Sequence, residues 1–188
     1  YDADTDFIDR WDYADTSEFN YESTGGRFGA GCVVWVDDWQ DLRKNFDTVE
    51  TLAGTDDLYV SFSWKVTTHT YGDNLFRLVG PNGTAGLQIN GNVGGTITIV
   101  GAGVNETTDV CIVAGSWHRI ELRVIADNTN GYVELKVDEV QKINVGPVDT
   151  QLDADAGVSR IDFGGSPGSL WRMDDFIFYS ADDSNDFM

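Results

Sequence analysis

Positive charge is what this chain has least of. It carries 8 Arg and 4 Lys against 25 Asp and 7 Glu, for a formal net charge of −20 over 188 residues. Nucleic acids and anionic membranes are held by Lys/Arg patches, so this balance argues against both as partners. A surface of one sign repels itself at low ionic strength and is screened within about 10 Å at 0.1 M salt. We therefore expect either a protein of a saline or cation-rich setting or simply a very soluble one. His69 and His118 stand alone, and Cys32 and Cys111 lie in apolar runs without a Cys/His cluster. That argues against structural zinc and reads the thiols as buried and free, with a disulfide left open. No apolar run approaches the ~20 residues of a membrane-spanning helix, and no leader peptide is visible. The chain opens on Tyr1, not Met, so we expect a processed chain or part of a longer polypeptide.

What is abundant is glycine, with 21 residues, and aromatics, with 6 Trp, 7 Tyr and 10 Phe. Many turns needing positive φ and a large apolar core are implied. We expect one domain over residues 1–188, long enough to bury about 70% of its unfolded surface. Strand signals recur throughout. In 57–68, Leu58, Val60, Phe62, Trp64 and Val66 alternate with Tyr59, Ser61, Ser63, Lys65 and Thr67, a period of two that marks a half-buried strand. Similar runs cover 27–36, 74–80, 85–90, 96–101, 109–114, 158–164 and 171–180, separated by turn sequences such as GPNGT and NGNVGG. One short helical turn is expected at 6–15. Many short antiparallel strands without helical periodicity predict an all-β, two-sheet antiparallel sandwich of the jelly-roll type.

Residues 117–145 carry the most specific pattern. His118, Ile120, Leu122 and Val124 alternate, DNTNG turns the chain, Val133, Leu135 and Val137 alternate back, and VDEV turns it again. Together with GRFGAGCVVW near the start and RMDDFIFYS near the end, this order resembles the concanavalin A-like, laminin G-like jelly roll. It is similar to lectin-like domains in virion proteins of tailed phages and archaeal tailed viruses. That resemblance implies a module on the virion surface or otherwise extracellular, packing against copies of itself or other virion proteins, with cell-surface glycan as a further partner.

Enzymes of this fold carry recognisable strands. Laminarinase-like hydrolases resemble one another in E-x-D-x-x-E, whose carboxylates converge on one face at the ~5–5.5 Å of a retaining pair. Here ELKVDEV places Glu134 and Asp138 in phase, but the turn interrupts the array. Polysaccharide lyases of this fold resemble one another in Arg, Gln-x-His and Tyr-Lys strands. Here Gln88-Ile89-Asn90 lacks the His, no Tyr/Lys cluster is evident, and His69 has no visible partner. Alternating Asp in 2–6 and 153–157, with more Asp in 181–186, offers hard oxygen ligands of the Ca²⁺ type, against a plain solvated acidic surface. Asp153, Asp155, Asp174 and Asp182 are the candidate ligands, and Ca²⁺ is the one cofactor considered. Trp39, Tyr71 and Trp171 stand at strand edges, where rings stack on sugars, while Trp35, Trp64 and Trp117 read as packing. Asn82 and Asn105 fit glycosylation sequons in turns. Of Asp174 and Asp175, one must face the interior if the strand is regular, which favours a hydrogen bond to a neighbouring loop over catalysis.

The sequence reading is thus a non-enzymatic virion module, a capsid decoration, turret or tail-fibre component. The alternative is a secreted carbohydrate-binding, lectin-like module. The second alternative is a divergent polysaccharide lyase or glycoside hydrolase.

Overall fold

Alternation of apolar and polar residues dictates thirteen strands and no helix among the described residues. The computed structural model describes residues 19–29, 31–35, 41–50, 57–67, 73–80, 83, 85–101, 103–150, 158–164 and 171–180; the helical turn expected at 6–15 lies outside them. The strands are β1 (Phe19–Glu22), β2 (Cys32–Trp35), β3 (Asp41–Glu50), β4 (Asp57–Val66), β5 (Asp73–Val79), β6 (Ala85–Gly91), β7 (Ile97–Gly101), β8 (Val104–Thr107), β9 (His118–Ile125), β10 (Gly131–Val137), β11 (Val140–Val148), β12 (Val158–Gly164) and β13 (Trp171–Ser180). They form a seven-stranded sheet, β1-β2-β13-β4-β9-β10-β11, and a six-stranded sheet, β3-β12-β5-β6-β7-β8. Every pairing is antiparallel. The last two strands insert between earlier ones, β12 beside β5 and β13 beside β4, which stitches the two ends of the chain into both sheets.

The core lies between the inner faces. Val60, Phe62 and Trp64 of β4 meet Leu78, Ile89 and Phe163 of the opposite sheet within one cluster. Phe163 stands edge-on to Phe62 at 5.3 Å and to Phe176 at 5.0 Å between ring centroids. Each fully buried side chain of this size contributes about 1.5–3 kcal/mol. The expected inward residues of β4, β9 and β10 are all buried. Cys32 and Cys111 are free, and burial pushes both thiols above their ordinary pKa.

The turns follow their side chains. The β10–β11 hairpin pairs Val137 with Val140, so its loop is the two residues Asp138 and Glu139, both at positive φ (52° and 68°), as a primed hairpin turn requires. Asp138 tolerates this because its side chain is anchored: Oδ1 accepts from the Arg119 N–H at 2.8 Å and Oδ2 faces His118 Nδ1 at 2.7 Å. The Val113 N–H donates to His118 Nε2 at 2.9 Å, which places the imidazole proton on Nδ1.

Several expectations are corrected. The apolar run 109–114 is a loop. Cys111 and Ile112 donate their N–H groups to Gly95 O, each at 2.9 Å, and Ile112 plugs the core. Gly95 (φ 83°) has no alternative there, because a Cβ would lie 2.2 Å from Ile112 O. Of the described residues in the run 27–36, 32–35 form strand; Gly26–Gly29 is a turn and Phe28 is exposed. Strand β3 shows no clean apolar alternation, as suits an edge strand. Asn105 is exposed on β8, not in a turn, and Asn82 lies outside the described residues.

Candidate functional site

Alternate residues of the six-stranded sheet face away from the core, and hydrogen-bonded register sets them side by side. Asp162 on β12 is opposite Arg43 of β3 on one side and Arg77 of β5 on the other. Arg77 is opposite Gln88 of β6, and Gln88 is opposite Val100 of β7. Arg160, two residues before Asp162, shares its face. At about 4.8 Å per strand, the six strands make a face roughly 24 Å wide.

At its centre is one buried carboxylate under three guanidiniums. The Asp162 side chain is 1% exposed. Arg160 Nε lies 2.7 Å from its Oδ1, Arg77 Nη2 3.2 Å from its Oδ2, and Arg43 Nε 3.9 Å from its Oδ1. A buried carboxylate persists only when paired, and here three guanidiniums surround one anion. The guanidiniums stay 23–37% exposed, so they can still donate to a ligand. Gln88 adds an amide next to Arg77. Asn90, next but one along β6 and opposite Asn74, adds a second; its Oδ1 is buried with no hydrogen-bond partner. The arrangement can hold carboxylate groups on a ligand long enough to cross several strands.

The residues expected to form sites fare differently. Trp171 is not a sugar platform: it is fully buried on β13, opposite Val66 of β4 and Trp35 of β2. Trp39 and Tyr71 lie outside the described residues, as do Asp153, Asp155, Asp182 and His69. Asp174, the one described Ca²⁺ candidate, is engaged in backbone hydrogen bonds. Oδ2 accepts the Arg27 N–H at 2.9 Å and Oδ1 the Asp175 N–H at 2.8 Å. Among the described residues, no group of three or more His, Cys, Asp or Glu could hold a metal ion. Nor does either Asp of the 174–175 pair face the interior. The strand bulges between Asp174 and Ile177, with Asp175 at φ 54°. The extra residue lets Asp174 reach the Arg27 loop while Asp175 accepts from Ser63 Oγ at 2.9 Å. A hydrogen bond to a neighbouring loop is what the pair makes.

The missed residues are Arg43, Arg77, Arg160 and Asp162. They stand at four positions on three strands, and nothing local in the sequence joins them. The one available signal was Gln88-x-Asn90 following an Arg strand.

No protein-family model matches this chain, and no curated protein matches it. Solved structures do. The chain matches a structure named "Sialidase" at TM-score 0.61 and 14% identity, covering 88% of this chain and 17% of that one, so it spans about a sixth of that protein's length. It matches family 7 alginate lyase A1-II′ in complex with a substrate at TM-score 0.61 and 11% identity, over 92% of this chain and 85% of that one. Alginate lyase Aly36B follows at TM-score 0.58 and 10% identity, over 91% and 86%. The fold is a jelly-roll β-sandwich. It fits the concanavalin A-like architecture, and at these identities the likeness establishes the fold alone.

The reading of a non-enzymatic virion module is therefore corrected. The matching structures named here are carbohydrate-active enzymes, with no phage or virion protein and no saline setting among them. The Arg77–Gln88 neighbourhood is made by register between β5 and β6, which no single strand of the sequence displays.

Proposed function

We propose that the chain is a divergent polysaccharide lyase whose ligand is an acidic, uronate-type polymer lying across the outer face of the six-stranded sheet. The observation that carries this is the cross-strand neighbourhood of Arg77, Gln88 and Asn90 beside the Asp162 arginine cluster. Cleaving a polyuronate by elimination removes the proton next to the sugar carboxylate and spreads negative charge onto that carboxylate before the glycosidic oxygen leaves. Fixed donors aimed at that carboxylate stabilise the charge where it develops. Arg77 supplies a guanidinium for this, and the amides of Gln88 and Asn90 supply neutral donors. Asp162 keeps the guanidiniums in place without cancelling them. The likeness in fold to alginate lyases supports the same reading.

The described strands of this sheet contain neither His nor Tyr, so they form the carboxylate clamp and leave the proton acceptor unassigned. His69, for which the sequence shows no partner, lies outside the described residues. The test is to incubate the chain with alginate, polygalacturonate and hyaluronate and follow the ultraviolet absorbance of unsaturated uronate ends. Growth of that signal, and its loss in Arg77→Ala, is the expected result. Binding without any product would sink the lyase reading while keeping the clamp; absence of binding to every polyuronate would remove both.

A further inference from the structure

The opposite face of the sandwich holds a second groove that the uronate reading does not use. It has a volume of about 260 Å³ and is lined by residues including Tyr59, Ser61, Glu121, Arg123, Glu134 and Lys136. Register builds it in two rows. Ile177, Ser61, Glu121 and Lys136 follow one another across β13, β4, β9 and β10, and Tyr59, Arg123 and Glu134 form the next row. Its charges cancel in pairs. Arg119 Nε is 3.2 Å from Glu121, Arg123 Nη2 is 2.6 Å from Asp57, and Lys136 Nζ is 3.5 Å from Glu134. Two buried polar atoms at its floor, Ser61 Oγ and Arg123 Nε, have no hydrogen-bond partner. Buried polar atoms are ordinarily satisfied, so these two point to a ligand group. Arg123 is also held between the rings of Tyr59 and Tyr132, at 5.7 and 5.5 Å from their centroids.

We infer that this groove on the seven-stranded sheet binds a neutral, hydroxyl-rich saccharide unit, independently of the arginine face. A fixed carboxylate beside a fixed cation suits a sugar hydroxyl, which donates to one and accepts from the other. A polyanion would meet Glu121 and Glu134, and a cationic ligand would meet Arg119, Arg123 and Lys136. The volume is below the roughly 300–1,000 Å³ of drug-sized sites, the scale of a sugar ring at the end or side of a chain. Ser61 Oγ is placed to pair with a ring hydroxyl, and Tyr59 offers ring surface beside it.

The experiment is saturation-transfer NMR and calorimetric titration of the whole chain with neutral gluco-, manno- and galacto-oligosaccharides, alongside an oligouronate. Binding of at least one neutral series is expected, weakened about tenfold or more in Ser61→Ala and in Glu121→Gln and unchanged in Arg77→Ala. Glu121→Gln keeps the side-chain shape, so lost affinity in that variant is not lost folding; the thermal midpoint of each variant checks this. No binding by any neutral series overturns the inference, as does binding indifferent to both substitutions. Oligouronate competing for the same groove would also overturn it. Failure here leaves the arginine face untouched, because Arg77→Ala reads that face separately.

Discussion

The outer face of the six-stranded sheet gathers three guanidiniums on one buried carboxylate, whereas that of the seven-stranded sheet pairs its cations and carboxylates one to one. Both faces come from the same strand alternation, and both sit in a chain of net charge −20. The difference lies in the partner count. Asp162 is buried beneath three guanidiniums, so the cluster is anchored on one central carboxylate. The pairs Arg119–Glu121 and Lys136–Glu134 are solvent-facing and saturated, so they spread polarity without accumulating potential. Net charge is therefore a poor guide to how charges are arranged on a face: even in an acidic chain, register can gather several arginines around one carboxylate.

The largest effect that would break the comparison is removal of the central carboxylate. Asp162→Ala strands three guanidiniums against one another and is expected to cost about 3–5 kcal/mol in chemical denaturation, the range for breaking a buried ion pair. A loss below 1 kcal/mol would mean that the cluster is no more anchored than the opposite face. Next, Gln88→Ala should weaken polyuronate binding about tenfold, the loss of a hydrogen bond to a charged group, while Lys136→Ala on the other face leaves it unchanged; calorimetry reads both. Third, Arg119→Ala breaks an exposed pair and should shift stability by no more than about 1 kcal/mol, which a denaturant midpoint resolves.

Salt separates the faces more gently. Between about 0.01 and 0.1 M, screening shortens from roughly 30 to 10 Å, which removes long-range repulsion between a polyuronate and the acidic chain. Toward 1 M the contacts themselves weaken. Binding at the arginine face should therefore pass through a maximum, and a neutral sugar should show none. The smallest effect concerns Asp127, whose carboxylate accepts from the Asn130 and Thr129 N–H groups, each at 2.7 Å, and from the Thr129 hydroxyl at 3.0 Å. These bonds hold its pKa below the ordinary carboxylate value. A depressed folded pKa stabilises the fold above the unfolded value, and that stability is lost as pH falls through the folded one. Exchange protection of the Thr129 and Asn130 amides should persist through mild acid and fall only below the ordinary Asp range. Loss at or above that range would contradict the geometry.

Much of the fold is legible in the chain. Leu58, Val60, Phe62, Trp64 and Val66 announce their own burial, and VDEV announces a two-residue turn, because alternation and turn chemistry are local. The errors are where local rules compete with packing. The run 109–114 has the apolarity of a strand, yet Gly95 takes its amides and only Ile112 reaches the core. The pair Asp174-Asp175 looks like a regular strand with one inward acid, yet a bulge turns both to the Arg27 loop. Trp171 has the look of an edge ring, yet β13 threads between β2 and β4 and buries it.

The sequence by itself determined the all-β class, the inward residues of the long strands and the tight hairpin after Val137, since each depends on neighbours a few positions away. Only the tertiary structure decided that Arg43, Arg77, Gln88, Arg160 and Asp162 share a face. Alternation tells a side chain which side of its sheet to occupy, but hydrogen-bonded register between distant strands tells it whom to stand beside.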